Sequence, residues 1–222
     1  MATRPLTDFM PQVMPHCSTA PRPLVEQYLR LAAIEWCERT RCWRQIVEAP
    51  IGANNEAIVC PDYATVHEIE TAFFNKTVDL TPTQFSAFDT EDFNTDNNVG
   101  TPAYITQMND NSVSIIPFQE GTLSLTLFLK PRSGTEYGTN PLDPLQDKMN
   151  VVPEHIFVQS AENIAEGALA RLLALPAEDA PWSNPKMAMY FAGRFEAACD
   201  RKFATHIKGQ QRARRRTKTH QF

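Results

Sequence analysis

Thr122–Leu129 alternates without a break: Leu123, Leu125, Leu127 and Leu129 on one side, Thr122, Ser124, Thr126 and Phe128 on the other. A period of two over eight residues fits a half-buried β-strand and no helix. Lys130-Pro131 ends it. Upstream, Pro102–Met108 reaches the turn Asn109-Asp110-Asn111, and Ser112–Pro117 reaches Gln119-Glu120-Gly121, so the three segments read as a β meander. Ala64–Phe74 reads as a further strand with His67 on its surface. Trp43–Glu48, Glu56–Cys60 and Lys76–Leu80 read as short ones. Thr83–Phe88 reads as a helical turn with Phe85 and Phe88 packing inward.

The period changes to three and four at both ends of the chain. Pro23–Thr40 places Leu24, Tyr28, Leu31 and Glu35 on one stripe, with Val25, Leu29, Ala32 and Trp36 beside it. Ser18 or Thr19 is the candidate cap. After Val152-Pro153-Glu154, the stripe Ile156, Ser160, Ile164, Ala168, Leu172 and Leu175 predicts a helix ended by Pro176. A second helix is predicted from Pro185 to about Lys208, with Met187, Phe191, Phe195, Ala198 and Lys202 inward. The short link makes the pair an antiparallel hairpin. Its packing motif is Gly167, Ala168, Leu172, Trp182, Asn184 and Pro185.

These elements predict an α+β fold. The N-terminal helix and the C-terminal hairpin form a helical bundle (21–42 and 151–208), with a β-rich insert (43–150) between them. Residues 1–20, with Pro5, Pro11 and Pro15, read as an extended arm, and 209–222 as a basic tail. The acidic stretch 81–100 and the Gly/Pro/Asp/Asn-rich stretch 132–150 read as loops, and both are candidates, like the arm, for contacts between subunits.

Charge divides the chain more sharply than its total suggests. There are 21 Lys+Arg and 26 Asp+Glu, and eight of the cations lie in 201–222 with no acid. Residues 1–200 therefore hold 13 cations against 26 acids, a net of −13. Arg212, Arg214, Arg215, Arg216 and Lys218 fall within seven residues. Such a segment seeks an anionic partner, phosphate or carboxylate. It has no interleaved aromatics, so base stacking is not indicated.

Motifs for chemistry are sparse. There is no P-loop, no GxGxxG, no GxSxG and no HExxH, and the five histidines are far apart. The acids of 81–100 do not keep calcium-loop spacing. Glu154-His155 could serve as a general-base pair but reads more simply as a first-turn acid and a surface imidazole. The five cysteines (Cys17, Cys37, Cys42, Cys60, Cys199) contain no CxxC pair and read as reduced structural thiols. Nothing here calls for an enzyme, a cofactor or a metal. No apolar run spans a membrane, and the first 23 residues lack a signal-peptide stretch, so the expected compartment is cytosol-like.

Three segments carry a resemblance: Val151–Ile156 (VVPEHI), Glu166–Pro176 (EGALARLLALP) and Pro181–Ala188 (PWSNPKMA). Upstream, Gly100–Ile105, Ser114–Phe118 and Leu127–Pro131 follow in matching order, with Phe118 where many of the group carry a second proline. Over roughly residues 23–208 the chain resembles tailed-phage head-to-tail connector (adaptor) proteins of the tail tubular protein A kind. The resemblance implies a structural virion protein at the head–tail interface, assembled in the host bacterial cytoplasm. It implies a closed ring of about twelve copies, a portal protein above, a tail or nozzle protein below, and packaged DNA passing through. Arg212, Arg214, Arg215, Arg216 and Lys218 are then the portal-binding residues. Two other readings stay open: a nucleic-acid-binding accessory protein acting through the basic tail, and an enzyme whose site is assembled across the β layer.

Overall fold

The computed structural model describes residues 2–93, 95, 98–132, 150–176, 178 and 180–210, without the side chains of 90 and 207–210. In chain order it contains β1 (Thr3–Pro5), α1 (Met10–Val13), α2 (Arg22–Thr40), β2 (Arg44–Ile51), β3 (Ala57–Ile58), β4 (Ala64–Phe74), β5 (Val78–Asp79), β6 (Thr81–Pro82), β7 (Tyr104–Asn109), β8 (Ser112–Ile116), β9 (Gly121–Pro131), β10 (Val151–Pro153), α3 (Glu154–Leu172) and α4 (Pro185–Gln210). Short 3₁₀ turns occupy Leu6–Phe9, Phe85–Ala87 and Thr90–Phe93.

The alternating run lies in β9, at the centre of a four-stranded sheet ordered β2-β9-β4-β5. β9 pairs antiparallel with β2 on one side and β4 on the other. Bulges between Val66 and Glu68 and between Ile69 and Thr71 bend β4. A second sheet runs β3-β8-β7-β6, its last pair parallel. The meander is thus split. β7 and β8 pair as expected, but β9 leaves for the other sheet. Pro117 has no N–H with which to extend the β8 ladder. The buried Asn55, at φ 52°, holds the β2–β3 turn to β8: its side chain donates to the Ile115 carbonyl at 2.9 Å and accepts from the Ile115 amide at 3.1 Å.

The expectation of a helical bundle carrying a β insert is wrong. Among the described residues the protein has ten strands in three sheets and four α-helices, and it is strand-rich. The helices do not close a core of their own. One continuous buried cluster joins Leu29, Trp36, Ile164 and Phe195 of the helices to Leu123, Leu125, Leu127 and Leu129 of β9 and to Ile105, Val113 and Ile115 of the second sheet. Ion pairs bind the layers: Lys130 of β9 to Glu38 of α2 at 2.7 Å, and Arg41, just past α2, to Glu68 of β4 at 2.7 Å. Phe128, placed on the polar face of β9 by alternation, is buried under the Arg41 and Arg44 guanidiniums, 5.6 and 5.9 Å from its ring centre.

The N-terminal arm is also corrected. β1 pairs antiparallel with β10, and Leu6, Phe9, Val13, Cys17 and Ala20 are buried. Residues 1–20 fail to read as structure because three prolines break their short helical spacing into pieces. No side chain caps α2, whose start is set by Pro21. The expected loop 132–150 lies, apart from its two end residues, outside the described residues.

Candidate functional site

Six residues picked out by the helical pattern build the hairpin of α3 and α4. Gly167 sits where three helices cross: a Cβ there would stand 2.7 Å from Cε2 of Phe195 on α4 and 3.1 Å from Cβ of Ala32 on α2. Ala168 and Leu172 are fully buried beside it. Trp182, Asn184 and Pro185 form the closed end. The Asn184 amide donates to the Leu173 carbonyl at 2.9 Å, and its Oδ1 caps α4 by accepting from the Met187 amide at 3.2 Å. Ser183 Oγ donates to the Leu175 carbonyl at 2.5 Å. The crossing is also tied by charge. Arg171 donates to the Gly167 carbonyl at 2.7 Å, lies 5.9 Å from the Phe195 ring centre, and pairs with Glu35 of α2. Arg39 reaches both Glu35, at 3.4 Å, and Asp200 of α4, at 3.1 Å.

On the other side of Gly167, Glu166 enters a cleft of about 460 Å³ between α3, α4 and the Gln12–His16 segment. Glu166 is 5 % exposed and pairs with Arg194 at 2.7 Å. Arg194 also meets Glu162 at 3.3 Å and the Tyr190 hydroxyl at 3.4 Å. The His16 ring meets Phe191 edge-on with centres 5.2 Å apart. Burial pushes the Glu166 carboxyl above its ordinary value, with Glu162 adding to the rise and Arg194 and Arg201 opposing it. The folded state therefore keeps a proton that the unfolded chain has lost. The contribution of Glu166 is most favourable below about pH 4.5, falls as pH rises through the raised value, and is constant above it. Glu166→Gln is expected to flatten that part of the stability–pH profile, measured by denaturant unfolding across the acid range.

The sheet side carries an open groove of about 1210 Å³ between β4, the β7–β8 turn and the segment after β6. His67, at a β4 bulge, is half-buried there. Its acidic neighbours are engaged: Glu68 with Arg41, and Asp110 with Arg132 at 3.5 Å. Phe85 and Phe88 do not pack inward as expected. Phe85 is 50 % exposed and stacks on Phe93 with centres 4.8 Å apart, while Phe88 packs against Phe93 and Tyr104. Glu154 pairs with Arg4 of β1 at 2.9 Å, and this ties the start of α3 to the N-terminal strand.

Arg212, Arg214, Arg215, Arg216 and Lys218 lie outside the described residues. Arg201 and Lys202, on the preceding turns of α4, are described, and Lys202 donates to Gln159 of α3 at 3.0 Å. Among the described residues no group of three or more His, Cys, Asp or Glu side chains could hold a metal ion, and no helix is long and apolar enough to cross a membrane. Glu166 and Arg194 escaped sequence reading because an acid next to a glycine in a helix reads as solvated. The tyrosine–arginine–glutamate spacing (166, 190, 194) becomes visible only once the hairpin is folded. No protein-family model matches the chain, and no curated protein matches it significantly.

Proposed function

We propose that this chain is a structural head–tail adaptor of a tailed phage, one copy of a ring that joins the capsid portal to the tail and continues the DNA channel. The observation that carries the reading is where its motif residues fall. The segments resembling the adaptor group, Val151–Ile156, Glu166–Pro176 and Pro181–Ala188, are those from which β10, the α3 crossing and the closed end of the hairpin are made. A scaffold whose shared residues are turns, caps and close helix contacts suits a protein that works by shape and assembly. The charge division suits it too. A body of net −13 over residues 1–200 repels the phosphates of passing DNA, while five cations between 212 and 218 complement an acidic portal surface.

Negative-stain imaging of the protein mixed with the portal protein of its own genome tests this reading, and rings capping the portal are the expected result. Deleting residues 209–222 is expected to abolish attachment and leave the unfolding midpoint unchanged. Attachment that survives the deletion removes the tail from the mechanism. The Arg212–Lys218 cluster also favours a second reading, a nucleic-acid-binding accessory protein. A chain that ignores portals and shifts DNA mobility at low salt, with the shift lost as salt rises, would replace the adaptor reading.

A further inference from the structure

A pocket of about 240 Å³ opens where α2, α3 and α4 meet. It begins where the inward stripe of α4 changes character: Phe191 and Phe195 give way to Ala198, Arg201 and Lys202. Phe195 packs its ring against Trp36 of α2. One turn later Ala198 offers only a methyl group, and a hollow is left beside Trp36. Gln159, Ser160 and Asn163 of α3 form the facing wall.

Two of these groups are buried donors without a partner. Trp36 is 1 % exposed, yet its Nε1–H has no acceptor among the described residues. Ser160 is 3 % exposed, and its hydroxyl is paired with no described residue. Arg201 is exposed and makes no ion pair among the described residues. Lys202 gives one hydrogen to Gln159 Oε1, at 3.0 Å, and keeps two. That bond occupies the Gln159 amide oxygen and leaves its NH2 to donate. The lining holds two cations and no acid, whereas the Glu166 cleft and the sheet groove both contain carboxylates.

We propose that this pocket is an oxyanion site that takes a phosphate group. Arg201 and Lys202 hold the charge at the mouth, the first through its planar fork and the second as a point charge. Ser160 and Trp36 donate from the inner wall, where a hydrogen bond to an anion is stronger than in water and an unmade one is costly. A carboxylate has two oxygens to share among so many donors, and a phosphate group has three. The volume admits one such group with a few waters around it. The site stands on α2, α3 and α4 alone, so it depends neither on the adaptor reading nor on residues 212–218.

The test uses the full-length protein with nitrogen-15 in its tryptophan indoles, observed by transverse-relaxation-optimised NMR. Trp36, Trp43 and Trp182 all lack a protein acceptor at Nε1, so the last two serve as internal references. Sodium phosphate replaces sodium chloride at constant ionic strength. The Trp36 N–H signal is expected to move and to saturate, with a dissociation constant below about 1 mM, while Trp43 and Trp182 stay. Arg201→Ala is expected to weaken binding at least about tenfold and leave the unfolding midpoint unchanged, whereas Arg214→Ala should alter neither. A short single-stranded oligonucleotide, titrated in parallel, separates the sources. If it moves Trp36 and competes with phosphate, a nucleic-acid backbone supplies the group; if phosphate alone acts, the free ion does, and either result supports the site. A Trp36 signal that stays put, that moves without saturating (an adventitious ion only), or that moves together with the other two overturns the proposal, as does unchanged binding by Arg201→Ala. The titration of the unmodified sequence decides even if a variant fails to fold.

Discussion

Gly167→Leu is expected to destabilise the protein by about 3 kcal/mol, the upper end of what overpacking costs in a filled core. A Cβ alone would stand 2.7 Å from the Phe195 ring, and that ring is held by the Arg171 guanidinium and by Trp36, whose ring centre is 6.0 Å away. Phe195 cannot swing aside without leaving the core, and Ala32 cannot move without shifting α2. The better helix propensity of leucine returns under about 1 kcal/mol, so packing decides the sign. Thermal unfolding should fall by roughly 6–12 °C for a chain of this size. Gly193, also inside the hairpin, gives the opposite expectation, because nothing lies within 4 Å of a Cβ built there. Gly193→Ala is expected to stabilise by about 0.5–1 kcal/mol. Two glycines of one hairpin should thus respond with opposite signs to added carbon, and parallel changes would refute the account of the crossing.

Trp43→Ala is expected to cost about 3–5 kcal/mol. Trp43 is 0 % exposed, stacks on Tyr63 with ring centres 6.1 Å apart, and its carbonyl receives the Leu129 amide at 2.8 Å, where the helix layer hands over to the first sheet. Trp43→Phe should cost far less. The stacking survives, and the Nε1 donor that disappears has no protein acceptor to lose. Chemical denaturation of both variants separates the two effects. Equal losses would show that the indole N–H is satisfied after all.

Local periodicity was enough for the long elements. β9, β4, α2, α3 and α4 all appear where the alternation or the three-and-four spacing sets them, because each repeats its pattern over at least two turns or four pleats. Pairing is a different matter. Nothing in the alternation of Ser112–Pro117 or Thr122–Leu129 says that one belongs to the second sheet and the other to the first, because that is decided by partners as distant as Arg44 and Ala57. On α2 the spacing offers two neighbouring stripes. The core takes Val25, Leu29, Ala32 and Trp36 and leaves Leu31 40 % exposed. The hairpin residues were legible because glycine, asparagine and proline have few structural reasons to occupy those places. Glu166 was not, because its burial depends on the Gln12–His16 segment packing over it, and that segment reads as an arm.

The pairing of β1 with β10 also sets an order of events as the chain is made. Thr3 faces Pro153 and Pro5 faces Val151, and Arg4 reaches Glu154 across 150 residues of sequence. A ribosome delivers residue 153 long after residue 3. Until then the opening residues have no ladder to join, and Leu6, Phe9 and Val13 have no α3 to cover. The two sheets, complete by Pro131, can assemble during this wait. The contact between β1 and β10 has a long loop to close and is formed late. The contacts of residues 3–13 with β10 and α3 are therefore made well after those residues emerge.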